Sequence, residues 1–103
     1  MENIKEEDIF LTEFAELSKA LGHPHRIKII KFLAELKAEG RCNQCMVGNI
    51  VDLLPIAQST VSQHLKILKD SGWIEGRIDG PRVCYCLRED IFDYYKKMID
   101  KIK

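Results

Sequence analysis

The chain has 103 residues, of which 46% are apolar, and its 16 lysines and arginines balance 16 aspartates and glutamates. This length suits a single domain. The acidic N-terminus is unlike a signal peptide, and no stretch approaches the roughly 18 apolar residues that span a bilayer. We therefore expect one cytoplasmic domain over residues 1–103, without a membrane partner. Its charge distribution, rather than its net charge, indicates what it binds.

Two helices are predicted first. Apolar residues recur at helical spacing through residues 5–21, which predicts a helix that ends near Gly22. A second helix is expected to begin at His23 and Pro24, because a proline in the first turn gives up no hydrogen bond, and to end at Gly40. The residues expected to form its apolar stripe are Ile27, Ile30, Leu33 and Leu36.

A helix-turn-helix is predicted next. Residues 41–46 are too few for a helix between two glycines and are expected to form a short extended segment. A third helix over about 47–54 is broken by Pro55, and a fourth is expected over 57–70. Two helices joined by a short turn are typical of this motif. The apolar face of the fourth helix is expected to contain Val61, Leu65 and Leu68.

A β-hairpin and a last helix complete the prediction. Residues 73–78 and 82–87 flank Asp-Gly-Pro at 79–81, the pattern of two strands joined by a tight turn. The fold class is therefore α+β, mainly α: a winged helix-turn-helix with about five helices and a hairpin wing. The last helix, about 89–102, has an apolar surface too large to leave in water. We expect it to form a homodimer interface with the helix at 5–21. The alternative is that it only covers its own core.

The fourth predicted helix has the residue types that read DNA. A recognition helix enters the major groove by its N-terminal half, where glutamine pairs with adenine, serine and threonine reach bases or phosphates, and lysine neutralises phosphate. A merely solvated face would contain more glutamate and lysine, which are better helix formers. The predicted contacts to double-stranded DNA are Gln58, Ser59, Thr60, Ser62, Gln63 and Lys66. Arg77 and Arg82 flank the hairpin turn, from which both guanidinium groups can reach phosphates or a minor groove.

Two runs within roughly residues 14–88 resemble the ArsR/SmtB family of winged-helix repressors: LSKALGHPHRIKIIKFL and IAQSTVSQHLKILKDSGWIEGRIDGPRVCYCL. The resemblance implies a homodimer that binds a palindromic operator and releases it when an inducer binds. One departure is Ala57, where relatives often have a helix-capping serine. Another is the absence of the Cys-x-Cys of the family's arsenic and cadmium sensors, since Met46 and Gly48 stand at those positions.

The four cysteines form two close pairs, Cys42-x-x-Cys45 and Cys84-x-Cys86. In a reducing compartment such pairs are metal ligands or redox-active thiols rather than structural disulfides. If residues 41–46 pair with the outer strand of the hairpin, all four sulfurs converge on one thiolate site. Such a site suits As(III) or Zn(II).

The strand pattern predicts how the second pair is oriented. Cys84 and Cys86 are two residues apart, so both sulfurs point to one face of the strand. We expect the other side chains of this strand to face the core, namely Val83, Tyr85 and Leu87.

The function that these observations favour is a repressor whose operator binding is relieved by a thiophilic metal or metalloid, As(III) first, at its cysteines. Two alternatives stay open. One is a purely structural zinc site, and the other is a repressor that responds to oxidants or reactive sulfur through its thiols.

The histidines and the absence of catalytic motifs bear on whether the chain belongs to another functional class, such as an enzyme. His64 is expected to pack or to contact phosphate, whereas His23 and His25 are expected to cap a helix or face solvent. The chain has no glycine-rich phosphate loop or Ser-His-Asp spacing, and its Cys-x-x-Cys lacks a βαβ context, so we expect no enzyme. A protein-interaction module on the same scaffold, without DNA binding, is the third class considered.

Overall fold

The structure is a computed structural model that describes residues 2–41 and 47–103. Five helices and one hairpin occur in this part of the chain, as predicted. In chain order they are α1 (Glu2–Ala20), α2 (Pro24–Ala38), α3 (Val47–Val51), α4 (Gln58–Ser71), β1 (Ile74–Asp79), β2 (Arg82–Leu87) and α5 (Ile91–Ile102). The extended segment predicted at 41–46, with its pairing to the hairpin, lies outside the described residues apart from Arg41. No helix in the described ranges is both long and apolar enough to cross a membrane.

The start of α2 follows the prediction closely. His23 is the N-cap, with Pro24 in the first turn, and the His23 ring accepts a hydrogen bond from the backbone N–H of His25 at 3.1 Å. The predicted stripe is wrong at one position, since Ile27 is half exposed. The helical spacing alone does not decide whether Ile27 or Ile29 faces inward. The buried residues of the helix are Ile29, Ile30, Leu33 and Leu36.

The helix-turn-helix has a longer turn than predicted. Helix α3 ends at Val51, and residues 52–57 connect it to α4. The amides of Leu53 and Leu54 donate to the carbonyls of residues three positions earlier, so the chain tightens into turns instead of continuing the helix. Pro55 prevents the helix from resuming at this point, because the residue before a proline, here Leu54, disfavours the helical region.

The hairpin is a regular antiparallel pair. Ile74 lies opposite Leu87 at the base of the ladder, and Asp79 lies opposite Arg82 at its tip. Gly80 has a φ of +62°, which a two-residue turn between such strands requires at its first central position. Helix α4 ends at Gly72, whose φ of +101° reverses the chain into β1.

The core lies where α1, α2, α4 and the base of the hairpin meet. Trp73 is fully buried there, and its indole N–H donates to the carbonyl of Leu17 in α1 at 2.8 Å. Its ring also packs against the ring of Tyr95 in α5, with centroids 5.1 Å apart. Helix α5 is tied to α1 by hydrogen bonds between Tyr95 and Ser18 at 2.6 Å and between Tyr94 and Glu13.

Candidate DNA interface and metal centre

Helix α4 has a buried inner face, apolar except for one histidine, and a mainly polar outer face. Its inner residues are Val61, His64, Leu65 and Leu68, and all of them are buried. The apolar positions predicted from the sequence are therefore confirmed, and the structure adds a histidine to them. Of the predicted DNA contacts on this helix, Thr60 is half-buried. The exposed ones are Gln58, Ser59, Ser62, Gln63 and Lys66.

Lys66 has an intrahelical partner that the sequence analysis missed. Its Nζ lies 2.8 Å from Oδ2 of Asp70, one turn later, and both side chains are mostly exposed. The hydrogen bond and the charge of Asp70 raise the pKa of Lys66, so the ammonium stays protonated. The spacing of four residues between lysine and aspartate was readable in the sequence.

The first turn of α4 begins without a side-chain cap. Ala57 is the N-cap residue and offers only its carbonyl, which accepts from the amides of Thr60 and Val61 at 3.0 and 3.1 Å. The amides of a helix start are donors that phosphate oxygens accept. No capping hydroxyl competes for them here.

The hairpin places its two arginines near the tip. The side chain of Arg77 is 61% exposed, with its Nη2 3.7 Å from Oε2 of Glu75, and Arg82 is exposed beside the turn. Arg77 lies opposite Cys84 in the ladder, so the two side chains share a face. By strand alternation, Arg82, Cys84 and Cys86 lie on that same face.

Cys84 and Cys86 both point into the protein, with exposures of 5% and 3%. The expected shared face of this pair agrees with the register, but the expected orientation of their neighbours is wrong at Val83, which is exposed. Tyr85 is half-buried and packs against the core, and Leu87 is buried in it, as expected. Helices α2 and α3 both contact β2, and side chains on both faces of this strand are buried. Cys42 and Cys45 lie outside the described residues.

The three histidines of the chain come together where the start of α2 meets α4. His64, at 7% exposure, has its ring centroid 4.5 Å from that of His23 and 5.8 Å from that of His25. The Nη1 of Arg26 lies 3.3 Å from Nδ1 of His64. Burial, and then the nearby His23, Arg26 and His25, lower the pKa of His64. Sequence reasoning treated these histidines separately, because no local spacing links residues 23–25 to residue 64.

A helix-turn-helix with an exposed polar second helix, followed by a β-hairpin, defines a winged-helix DNA-binding transcriptional regulator, which is not an enzyme. Within this class the chain belongs to the arsR family. Its residues 23–75 match the sequence profile described as bacterial regulatory protein, arsR family. The predicted fold class, family resemblance and absence of enzymatic function are thereby confirmed.

Two relatives and one solved structure illustrate the similarity. The chain is 36% identical over 88 residues to the uncharacterized HTH-type transcriptional regulator MJ1325 of Methanocaldococcus jannaschii, covering 85% of this chain and 92% of that protein. It is 42% identical over 74 residues to the HTH-type transcriptional repressor SmtB of Mycobacterium tuberculosis, covering 72% of this chain but only 50% of SmtB. The homodimeric winged helix-turn-helix DNA-binding domain of Mb0332 from Mycobacterium bovis superimposes with a TM-score of 0.70 at 25% identity, covering 93% of this chain and 83% of that one.

The lowered pKa of His64 makes stability depend on pH. The unfolded chain takes up a proton at this histidine near the ordinary value of about 6.5, whereas the native protein resists it. The free energy of unfolding should therefore fall as the pH drops through 6.5 to the native pKa of His64, and this group should add nothing further below it. Urea unfolding between pH 5 and 8 in EDTA-containing buffer measures this, at one fixed protein concentration.

The control for this prediction is His64→Gln, which should have a flatter dependence on pH. A direct NMR titration of the His64 imidazole in the native protein gives the pKa itself. A value at or above the ordinary one would contradict the prediction.

Proposed function

We propose that this chain is a homodimeric repressor that holds operator DNA with α4 and the hairpin and releases it when a thiophilic metal or metalloid, As(III) first, binds its cysteines. The observation that carries the sensing step is the position of Cys84 and Cys86. They are buried in β2, on the strand face that they share with Arg77 and Arg82. The protein would act on DNA in the cytoplasm.

The ligand set that we propose is Cys42, Cys45, Cys84 and Cys86. Helices α2 and α3 both contact β2, and the first two cysteines stand in the sequence between these two helices. Thiolates select Zn(II), As(III) and other thiophilic ions over harder cations. An ion held there changes the packing under the hairpin, and the arginines on the same face move with it.

The DNA-binding surface that we propose has two parts. The outer face of α4 offers hydroxyl, amide and ammonium groups to the major groove, and the uncapped start of the helix offers backbone amides to a phosphate. The hairpin adds guanidinium groups at its tip. Because the net charge of the chain is zero, affinity depends on this local concentration of cations.

The dimer interface that we propose consists of α1 and α5. Both helices leave large apolar side chains in solvent, with Ile9 at 65% and Ile102 at 58% exposure. Others on these helices are Leu11, Phe92, Tyr94 and Ile99. Large apolar side chains left in solvent on two neighbouring helices are typical of an interface. The homodimeric Mb0332 domain, whose fold this chain shares, supports the same assembly here.

Replacing single charges tests the DNA surface. Lys66→Gln should weaken binding to operator and non-operator DNA alike and reduce the slope of log affinity against log salt by about one for each phosphate that the side chain neutralises. Asp70→Asn should instead tighten binding a few-fold, because it frees the ammonium of Lys66 from its carboxylate partner. Fluorescence anisotropy over a range of salt concentrations measures both effects.

A matched control for the DNA experiment is Lys31→Gln, which removes the same charge from the exposed surface of α2. It should leave affinity and salt slope nearly unchanged. Equal losses from Lys31→Gln and Lys66→Gln, or a salt-independent complex, would mean that α4 is not the contact surface.

A charge placed in the apolar surface tests the dimer. The double variant Ile9→Glu/Ile102→Glu should sediment as a monomer, because an interface cannot bury four unpaired carboxylates. Ile78→Glu is the control, since Ile78 is 84% exposed on the hairpin and away from α1 and α5. It should remain dimeric in analytical ultracentrifugation. A dimer that survives the double variant would place the interface elsewhere.

Arsenite titration of the operator complex tests the sensing step. Arsenite should release DNA from the reduced protein, and Cys84→Ser/Cys86→Ser should bind DNA yet no longer respond. Cys42→Ser/Cys45→Ser, measured in parallel, reports whether the first pair belongs to the same site. Arsenite that has no effect, or that acts equally on the Cys84→Ser/Cys86→Ser variant, would overturn the proposal.

The same titration separates the two alternative roles of the cysteines. Release by peroxide that dithiothreitol reverses, with no response to arsenite, identifies a thiol switch. Loss of thermal stability on chelation, with unchanged DNA affinity under every titrant, identifies structural zinc.

A further inference from the structure

Three imidazoles come together at the start of α2 and on α4, whereas the two cysteines that the structure describes lie on β2. His23 caps α2, His25 lies in the first turn of that helix, and His64 lies on the inner face of α4. One ring nitrogen from each residue lies within 4.8 Å of the others. His23 and His25 are partly open to solvent, whereas His64 is buried. Three imidazoles that converge from two helices, with one side open to solvent, are the ligand set of an open metal site.

We propose that His23, His25 and His64 bind a divalent ion of the zinc class, such as Zn(II), with water as the fourth ligand. Imidazole nitrogens suit Zn(II), Ni(II) and Cu(II), in contrast to the softer ions that thiolates prefer. This site is separate from the proposed cysteine site in position and in ligand chemistry. It does not depend on the proposed function.

The three imidazole nitrogens must move somewhat closer together to bind an ion. An ion held at about 2.0–2.1 Å by each nitrogen in tetrahedral geometry needs these nitrogens roughly 3.4 Å apart. The rings of His23 and His25 can rotate toward His64 because both are only partly buried. His64 is fixed by the core around it and provides the rigid ligand.

Two existing contacts compete with the ion. Nδ1 of His23 accepts the backbone N–H of His25, and Nδ1 of His64 faces the guanidinium of Arg26. A neutral imidazole has only one unprotonated nitrogen. Whichever nitrogen of His23 or His64 binds the ion, Nδ1 of that ring can no longer accept its present hydrogen bond, so both contacts are lost. Arg26 retains two further acceptors, the carbonyls of Ala20 and Lys19. Its positive charge opposes the ion and sets the affinity below that of an uncharged three-histidine site.

The placement of the site gives the ion a structural effect. It would join the start of α2 to the helix that faces DNA, at a position opposite the exposed residues of α4. On ion binding, Arg26 would lose its contact with His64 and keep only its hydrogen bonds to the carbonyls at the end of α1. The ion would therefore restrain α4 from its inner side.

The experiment is a Zn(II) titration of the reduced protein followed by NMR of its imidazole groups. The chain has only three histidines, so each signal can be assigned by substitution. We expect all three imidazole signals to shift together and to saturate at one Zn(II) for each protomer. Zinc bound by the cysteines does not produce this concerted shift, so the outcome is independent of the sensing proposal.

Two variants make the test specific. His25→Gln, at a partly exposed position, should keep the fold and lower Zn(II) affinity at His23 and His64 by at least about tenfold. Arg26→Gln should raise the affinity several-fold, because it removes the opposing charge while keeping donors for the α1 carbonyls. Imidazole signals that ignore one equivalent of Zn(II), or an affinity that His25→Gln leaves unchanged, would overturn the site.

Discussion

The fold depends on a buried indole N–H that must find an acceptor. Trp73 stands between the end of α4 and the start of the hairpin, and its Nε1 donates to the carbonyl of Leu17. An unpaired donor in this position would cost about 1–3 kcal/mol, so the register of α1 against the hairpin is fixed by it. The same ring packs on Tyr95 of α5. One residue thus connects the helices proposed for dimerisation with the elements proposed to bind DNA.

Helix α4 has a solvent-exposed outer face and a buried inner face with different roles. The outer face keeps short polar groups and Lys66 in solvent, while the inner face seals the core except for one polar residue, His64. That histidine costs less than an isolated buried polar group because Arg26 donates to it. A change at the start of α2 therefore affects α4 from its buried face, without contacting the outer groups that would read bases.

Most features that depend on local spacing were predicted from the sequence. The helical periodicity of Val61, Leu65 and Leu68, the proline that opens α2 and the Gly-Pro turn of the hairpin all act within a few residues. What depends on packing between distant segments was not predictable. The burial of Cys84 and Cys86 depends on the elements that pack against β2, since strand alternation alone fixes only that the two side chains share a face. The histidine cluster likewise exists only because α2 and α4 cross at one point.

The burial of Cys84 and Cys86 has a kinetic consequence. A thiol with 5% or less of its surface exposed reacts only when the surrounding structure opens. Once a reagent is abundant, the rate of its reaction is set by how often the structure around the two thiols opens, and no longer by the concentration of the reagent. A bulky alkylating agent needs a wider opening than a small oxyanion or ion, so it should react more slowly. The packing around the two thiols thus limits both how fast reagents react with them and how large those reagents can be.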